Sequence, residues 1–119
     1  MPVKRGDVVL VPVPDTSGQQ GKLRPALVVS SNHNNQRSQD AIVAVITKTT
    51  KRASLAATQL LIELGTTEGN QSGLLTDSAI KCERLHAILQ SHIRRTIGSL
   101  PVATMRKVND CLKAALELP

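Results

Sequence analysis

Three kinds of side chain in this sequence can move protons or hold charge: three histidines, two cysteines and several clusters of cations. Histidine is the usual general acid of enzymes, and His33, His86 and His92 could each serve as one. No two of them stand at the spacing of a metal site or of a nucleophile and its base. His33 leads the three because it sits in a polar stretch. Cys82 and Cys111 are the only cysteines. With no CxxC and no Cys/His cluster, they read as core thiols rather than zinc ligands or a disulfide framework. No metal and no cofactor is expected. Lys48, Lys51 and Arg52 follow Thr47 closely, and Lys22 stands just before Arg24. Such groups contact phosphates, although a solvated surface cluster has the same composition. The amides of Gln19 and Gln20 can read base edges. Taken alone, Arg24 before Pro25 is a solvated residue at a strand start, and Thr47 is a β-branched strand end.

Composition narrows the partners. Fifteen Lys and Arg against nine Asp and Glu give a formal net charge of +6. A basic surface attracts polyanions, of which nucleic acid and acidic protein segments are the common cases. There is no Phe, Tyr or Trp. Modules that hold single strands by stacking bases on aromatic rings are therefore excluded. If the chain grips RNA, it must use guanidinium planes, backbone groups and hydrogen bonds. The 119 residues, 40% hydrophobic, suit one domain spanning 1–119. No apolar run reaches the roughly 20 residues of a membrane helix. The opening Met1-Pro2-Val3-Lys4-Arg5-Gly6-Asp7 lacks the layout of a secretion signal, so a cytoplasmic chain without membrane association is expected.

The elements that must position these residues are mostly strands. Val8 to Val13 is a β-branched run, with Pro12 and Pro14 marking an exit toward a sheet edge. A polar loop from Pro14 to Lys22 follows, longer than a usual hairpin connection. Arg24-Pro25 opens a second strand running from Ala26 to Ser30. Ser31 to Asp40 reads as a second loop. Ala41 to Ile46 reads as a strand covered on both faces. Leu60 to Leu64 is a fourth strand candidate, followed by a turn-rich stretch from Gly65 to Gly73. Between Leu74 and Leu89 the first half alternates as a strand, and the second half fits a strand or a helical turn. From Val102 to Leu116 the apolar residues recur at helical spacing, with Pro101 suited to the first helical position. Strands followed by one late helix predict a mainly β chain, a small barrel or sandwich with the helix packed on it.

Three segments, in order, resemble the MazF/PemK toxin family. They are Lys4-Arg5-Gly6-Asp7-Val8-Val9, Gly21-Lys22-Leu23-Arg24-Pro25-Ala26-Leu27-Val28-Val29-Ser30 and Val43-Ala44-Val45-Ile46-Thr47. Ser78-Ala79-Ile80-Lys81-Cys82-Glu83 and Ile97-Gly98-Ser99-Leu100 are similar to it as well. The resemblance spans nearly the whole chain. It departs from the family at Leu10 and Val11, where an aromatic is frequent, and at Pro101, where a capping Ser or Thr is common.

The resemblance implies a CcdB/PemK-like barrel, related to SH3-like barrels, with a C-terminal helix. It implies a homodimer, a cognate antitoxin and cleavage of single-stranded RNA, messenger RNA included, at short sequences by an endoribonuclease. Its catalytic Arg matches Arg24, its Thr or Ser at the end of the third strand matches Thr47, and its movable first loop matches Asp15 to Lys22. RNA supplies its own nucleophile, the 2′-hydroxyl, so no metal is required. Arg24 would stabilise charge on the phosphate oxygens. Thr47 would donate to the same phosphate or orient the hydroxyl. Lys22, Lys48, Lys51, Arg52, Gln19 and Gln20 are the expected RNA contacts. Two rival readings use the same fold: a CcdB-like gyrase-poisoning toxin and a non-catalytic nucleic-acid-binding barrel.

Overall fold

The computed structural model describes residues 2–14 and 21–119. Six antiparallel strands form one curled sheet in the order β4-β5-β3-β2-β1-β6. The strands are β1 (Asp7–Pro12), β2 (Leu23–Val28), β3 (Asp40–Thr47), β4 (Gln59–Ile62), β5 (Ser78–Leu89) and β6 (Arg95–Ser99). Helix α1 (Asn32–Arg37) joins β2 to β3, α2 (Thr67–Ser72) joins β4 to β5, and α3 (Val102–Leu116) ends the chain. The expected mainly β architecture with a C-terminal helix is borne out. Among the described residues, no helix is long and apolar enough to cross a membrane.

Both faces of the sheet are packed, because apolar residues fill alternate and intervening positions alike. On one face Val8, Leu27, Ala44, Ile46, Ile80 and Cys82 meet Met105, Val108 and Cys111 of α3. On the other, Val9, Val11, Ala26, Val28, Val43 and Ile88 form a second cluster. This explains the unbroken apolar run in β3. Arg5 fastens the helix to the sheet. Its Nε donates to the Val29 carbonyl at 2.9 Å, and a terminal nitrogen donates to Asn109 Oδ1 of α3 at 2.6 Å.

Several boundaries differ from the sequence expectation. The stretch from Ser31 to Asp40 is not a plain loop. Ser31 caps α1 by accepting from the Asn34 N–H at 3.1 Å. Asn35, fully buried, donates from Nδ2 to the Ser30 carbonyl at 3.1 Å and accepts from Ser30 Oγ. The stretch from Gly65 to Gly73 likewise holds α2, capped by Thr66 through the Gly69 N–H at 3.1 Å. All of Ser78 to Leu89 is strand, which resolves its second half. A register shift opposite Ala44 and Val45 leaves residues 82–84 of β5 as a bulge. Pro101 is the residue before α3 rather than its first helical residue. β1 lies inside the sheet, not at an edge, yet Pro12 stands beyond Leu10, the last residue paired with β6.

The sheet's two outer strands, β4 and β6, are not hydrogen-bonded to each other. The gap between them is bridged by the end of α2, which lies on β6 backbone to backbone. A Cβ at Gly98 would overlap the backbone of Gln71 and Ser72, and one at Gly73 (φ +75) would overlap the Ile97 carbonyl. Only glycine permits this approach at both places. Replacing Gly98 by Ala is expected to lower the free energy of unfolding by about 1–3 kcal/mol, the cost of overpacking, as measured by urea denaturation.

The two cysteines, on β5 and α3, are buried and free. They lie in the same core cluster, and burial, followed by the nearby Cys111 and Glu83, pushes the Cys82 thiol up to about 12. Burial also raises Cys111. The native chain thus keeps the Cys82 proton where the unfolded chain loses it. This contribution to stability is complete below the ordinary 9.0 and is lost as pH climbs toward about 12. Alkylation by iodoacetamide at neutral pH should be more than roughly 100-fold slower in native protein than in denaturant, since the thiolate is the reactive form.

Candidate active site

β2 and β3 are neighbours in the sheet. Their register pairs Ala26 with Val45, Leu27 with Ala44 and Val28 with Val43. Carried outward by one more pleat, the same register sets Arg24 opposite Thr47, on one face of two strands about 4.8 Å apart. Both residues line a cleft of about 780 Å³. Its floor is aliphatic: Leu10 of β1, Pro25 of β2, Ile46 of β3 and Ile97 of β6. One wall carries Lys22, Leu23, Arg24, Thr47 and Lys48. The other is the segment Gly73, Leu74, Leu75 and Thr76 with Ser78 and Arg95. Leu75 is 93% exposed and Leu23 49%, so the mouth has apolar lips.

Four cations and no carboxylate line the cleft among the described residues. A concave, low-dielectric surface with one sign of charge concentrates anions. Arg24 is exposed, so its guanidinium is available for paired hydrogen bonds to a phosphate or carboxylate. Thr47 is half-buried and held in place, because its Oγ1 accepts the Thr49 N–H at 3.2 Å. That bond occupies a lone pair and leaves the hydroxyl proton for donation elsewhere. The arrangement offers charge stabilisation and hydrogen-bond donation. It offers no good base, since a guanidinium stays protonated and an alcohol barely ionises.

The other expected residues divide. Lys22 and Lys48 reach the cleft. Lys51 and Arg52 do not, because the chain after Thr50 enters a turn closed by the Ala53 and Leu55 N–H groups and leaves both side chains exposed outside the lining. Gln19 and Gln20 lie outside the described residues, as does most of the loop that contains them. None of the histidines lines the cleft. His33 and His92 are exposed, and His86 is half-buried on β5 opposite Val43, its Nε2 without a hydrogen-bond partner. Among the described residues, no three His, Cys, Asp or Glu stand together as a metal site.

Arg95 and the segment from Gly73 to Thr76 were missed by sequence reasoning. Arg94-Arg95 is visible as a cation pair, but only the pairing of Arg95 with Leu10 brings it to the cleft. A second cavity, of about 500 Å³, lies by the start of β3, at the other end of that strand, between Asn35, Ser38 and Gln90. Gln90 is engaged there within the protein, its Nε2 donating to the Asn35 and Ser38 carbonyls at 2.8 and 3.0 Å.

Comparison with known proteins agrees with this architecture. Residues 4–116 match the family of the PemK-like, MazF-like toxin of type II toxin–antitoxin systems. The chain is 33% identical over 119 residues to the endoribonuclease EndoA of Bacillus subtilis, covering 99% of this chain and 97% of that one. It is 26% identical to the endoribonuclease MazF of Staphylococcus saprophyticus, with 98% and 92% covered. A mycobacterial endoribonuclease solved in complex with its cognate antitoxin superimposes with a TM-score of 0.76 at 24% identity, over 98% and 97% of the two chains. MazF in a MazE–MazF structure from Deinococcus radiodurans gives 0.72 at 17% identity, with 100% of both covered. At such identities the structures speak for the fold, whereas the match to residues 4–116 and the one-third identity to EndoA speak for descent. The chain belongs to the PemK-like, MazF-like toxin family of type II toxin–antitoxin systems.

Proposed function

We propose that the chain is an endoribonuclease toxin that cleaves single-stranded RNA, messenger RNA included, in the cleft between Arg24 and Thr47. The single observation that supports this best is the β2–β3 register, which brings a guanidinium and a hydroxyl together in a lining that, among the described residues, holds cations and no carboxylate. Relatives bearing the name endoribonuclease support the reaction class.

The substrate's 2′-hydroxyl oxygen attacks the adjacent phosphorus, forming a new O–P bond as the bond to the 5′-oxygen breaks. The products are a 2′,3′-cyclic phosphate and a 5′-hydroxyl. Negative charge grows on the non-bridging oxygens along the way. Arg24 meets that charge with two N–H donors, and Thr47 adds a third hydrogen bond or orients the attacking hydroxyl. The 2′-hydroxyl proton leaves to water and the departing 5′-oxygen takes one from water, because the guanidinium and hydroxyl groups are spent on hydrogen bonds to the phosphate. Lys22 and Lys48 hold flanking phosphates. The reaction needs no metal, since the nucleophile is part of the substrate and Arg24 carries the countercharge.

The mycobacterial neighbour is an endoribonuclease bound to its cognate antitoxin. By analogy, this chain is silenced by an antitoxin segment with acidic and apolar residues, matching the cation-lined, leucine-lipped cleft. Its working form is a homodimer in the cytoplasm.

Purified protein incubated with defined RNAs in EDTA is expected to cut them, leaving cyclic phosphate and 5′-hydroxyl ends. Intact RNA across many sequences, or cleavage only after divalent ions are restored, would overturn the reading. The Arg24→Ala variant should lose roughly 100-fold or more in single-turnover rate, the scale of removing one oxyanion donor. Unchanged cleavage by this variant would remove Arg24 from the mechanism.

A further inference from the structure

Arg95 stands across the cleft from Arg24. It opens β6 and pairs with Leu10 of β1, while Arg24 pairs with Val11 on the opposite side of the same strand. The two arginines therefore stand on strands about 10 Å apart, two strand spacings, and on opposite pleats, since Leu10 and Val11 are consecutive; both nonetheless line the one cleft at the strand ends. Arg95 shares its face with Leu10, and Ile97 follows at the register shift that leaves it unpaired between Thr96 and Gly98; both aliphatics line the cleft floor. β6 is an outer strand and Arg95 is exposed. Its guanidinium can sweep over the floor without disturbing the core.

What a cation over an aliphatic floor binds follows from its neighbours. Protein surfaces that hold single-stranded RNA grip unstacked bases on aromatic rings or on guanidinium planes. This chain has no Phe, Tyr or Trp, and none of its three histidines lines the cleft. Among the described lining residues, only Arg24 and Arg95 end in planar cations, whereas Lys22 and Lys48 end in point charges. Arg24 is committed to the phosphate. A phosphate drawn onto Leu10 and Ile97 would lose its hydration with little return, whereas a base is desolvated there at small cost.

We propose that Arg95 is a specificity-determining residue, its guanidinium stacking on a nucleobase of single-stranded RNA seated on the floor of Leu10, Pro25 and Ile97. This rests on the assignment of the cleft to RNA. Arg95 acts through the face of its side chain and not through charge alone, so lysine cannot replace it.

The test is equilibrium binding of the full chain to a fluorescent 2′-O-methyl oligonucleotide, which lacks the attacking hydroxyl. Its sequence is taken from a mapped cut site or, if the wild type cuts nothing, from a mixed-sequence pool. Arg95→Ala and Arg95→Lys are compared with wild type after matched thermal melts establish folding. Both variants should bind roughly tenfold or more weakly, the scale of losing one base stack. An abasic residue walked along the oligonucleotide should, at one position, weaken the wild type by a similar factor and leave Arg95→Lys unaffected. Wild-type binding by Arg95→Lys, or no abasic position coupled to Arg95, overturns the proposal and makes Arg95 a phosphate contact. The coupling without any cleavage of natural RNA sinks the ribonuclease reading and leaves Arg95 standing. A wild type that binds no RNA sinks both.

Discussion

The register between β2 and β3 is the constraint from which the site follows. With Ala26 against Val45 and Val28 against Val43, the two strand ends come out level, and residues far apart in sequence stand face to face. A slip by one residue would turn every side chain of one strand to the opposite surface. Two features prevent it. Leu27 and Ala44 must meet the core under α3, while Ala26, Val28 and Val43 must fill the second cluster. Packing on both faces means that a slip would exchange the residues filling the two clusters.

The rest of the molecule supports that pairing from either side. β5 runs along β3 for its whole length despite the bulge at residues 82–84. Beyond β3, the buried Ser30–Asn35 pair fixes how the chain turns from β2 into β3 through α1, and the Ile42 N–H donates to Ser30 Oγ at 3.0 Å. Arg5 ties the start of β1 to α3, so the helix covering the core is held by hydrogen bonds as well as by Met105 and Val108.

How much of this was legible depended on whether a residue's role is local. The β-branched runs and the helical spacing of α3 carry their structure in periodicity, and both were readable. Arg24 and Thr47 were singled out through the family resemblance, and the cleft contains both. The short helices α1 and α2 were not readable, since six residues hold too little period. Their caps and the buried Asn35 are polar groups that also mark loops. β6 has one large aliphatic residue, Ile97, and so shows no alternation. Lys51 and Arg52 stand outside the cleft for the opposite reason: closeness to Thr47 in sequence is undone within a single turn. Arg95 belongs to the cleft only because β6 returns beside β1, which no local pattern announces.

The bridge between α2 and β6 has a mechanical consequence. The segment that ends α2 at Gly73 is also the one that forms the far wall of the cleft. Because that wall leans directly on Ile97, the thickness of two glycines acts as a spacer that gauges the aperture. A bulkier residue at either point would push that wall away from Ile97, so the width of the cleft is set by the same contact that holds α2 on β6.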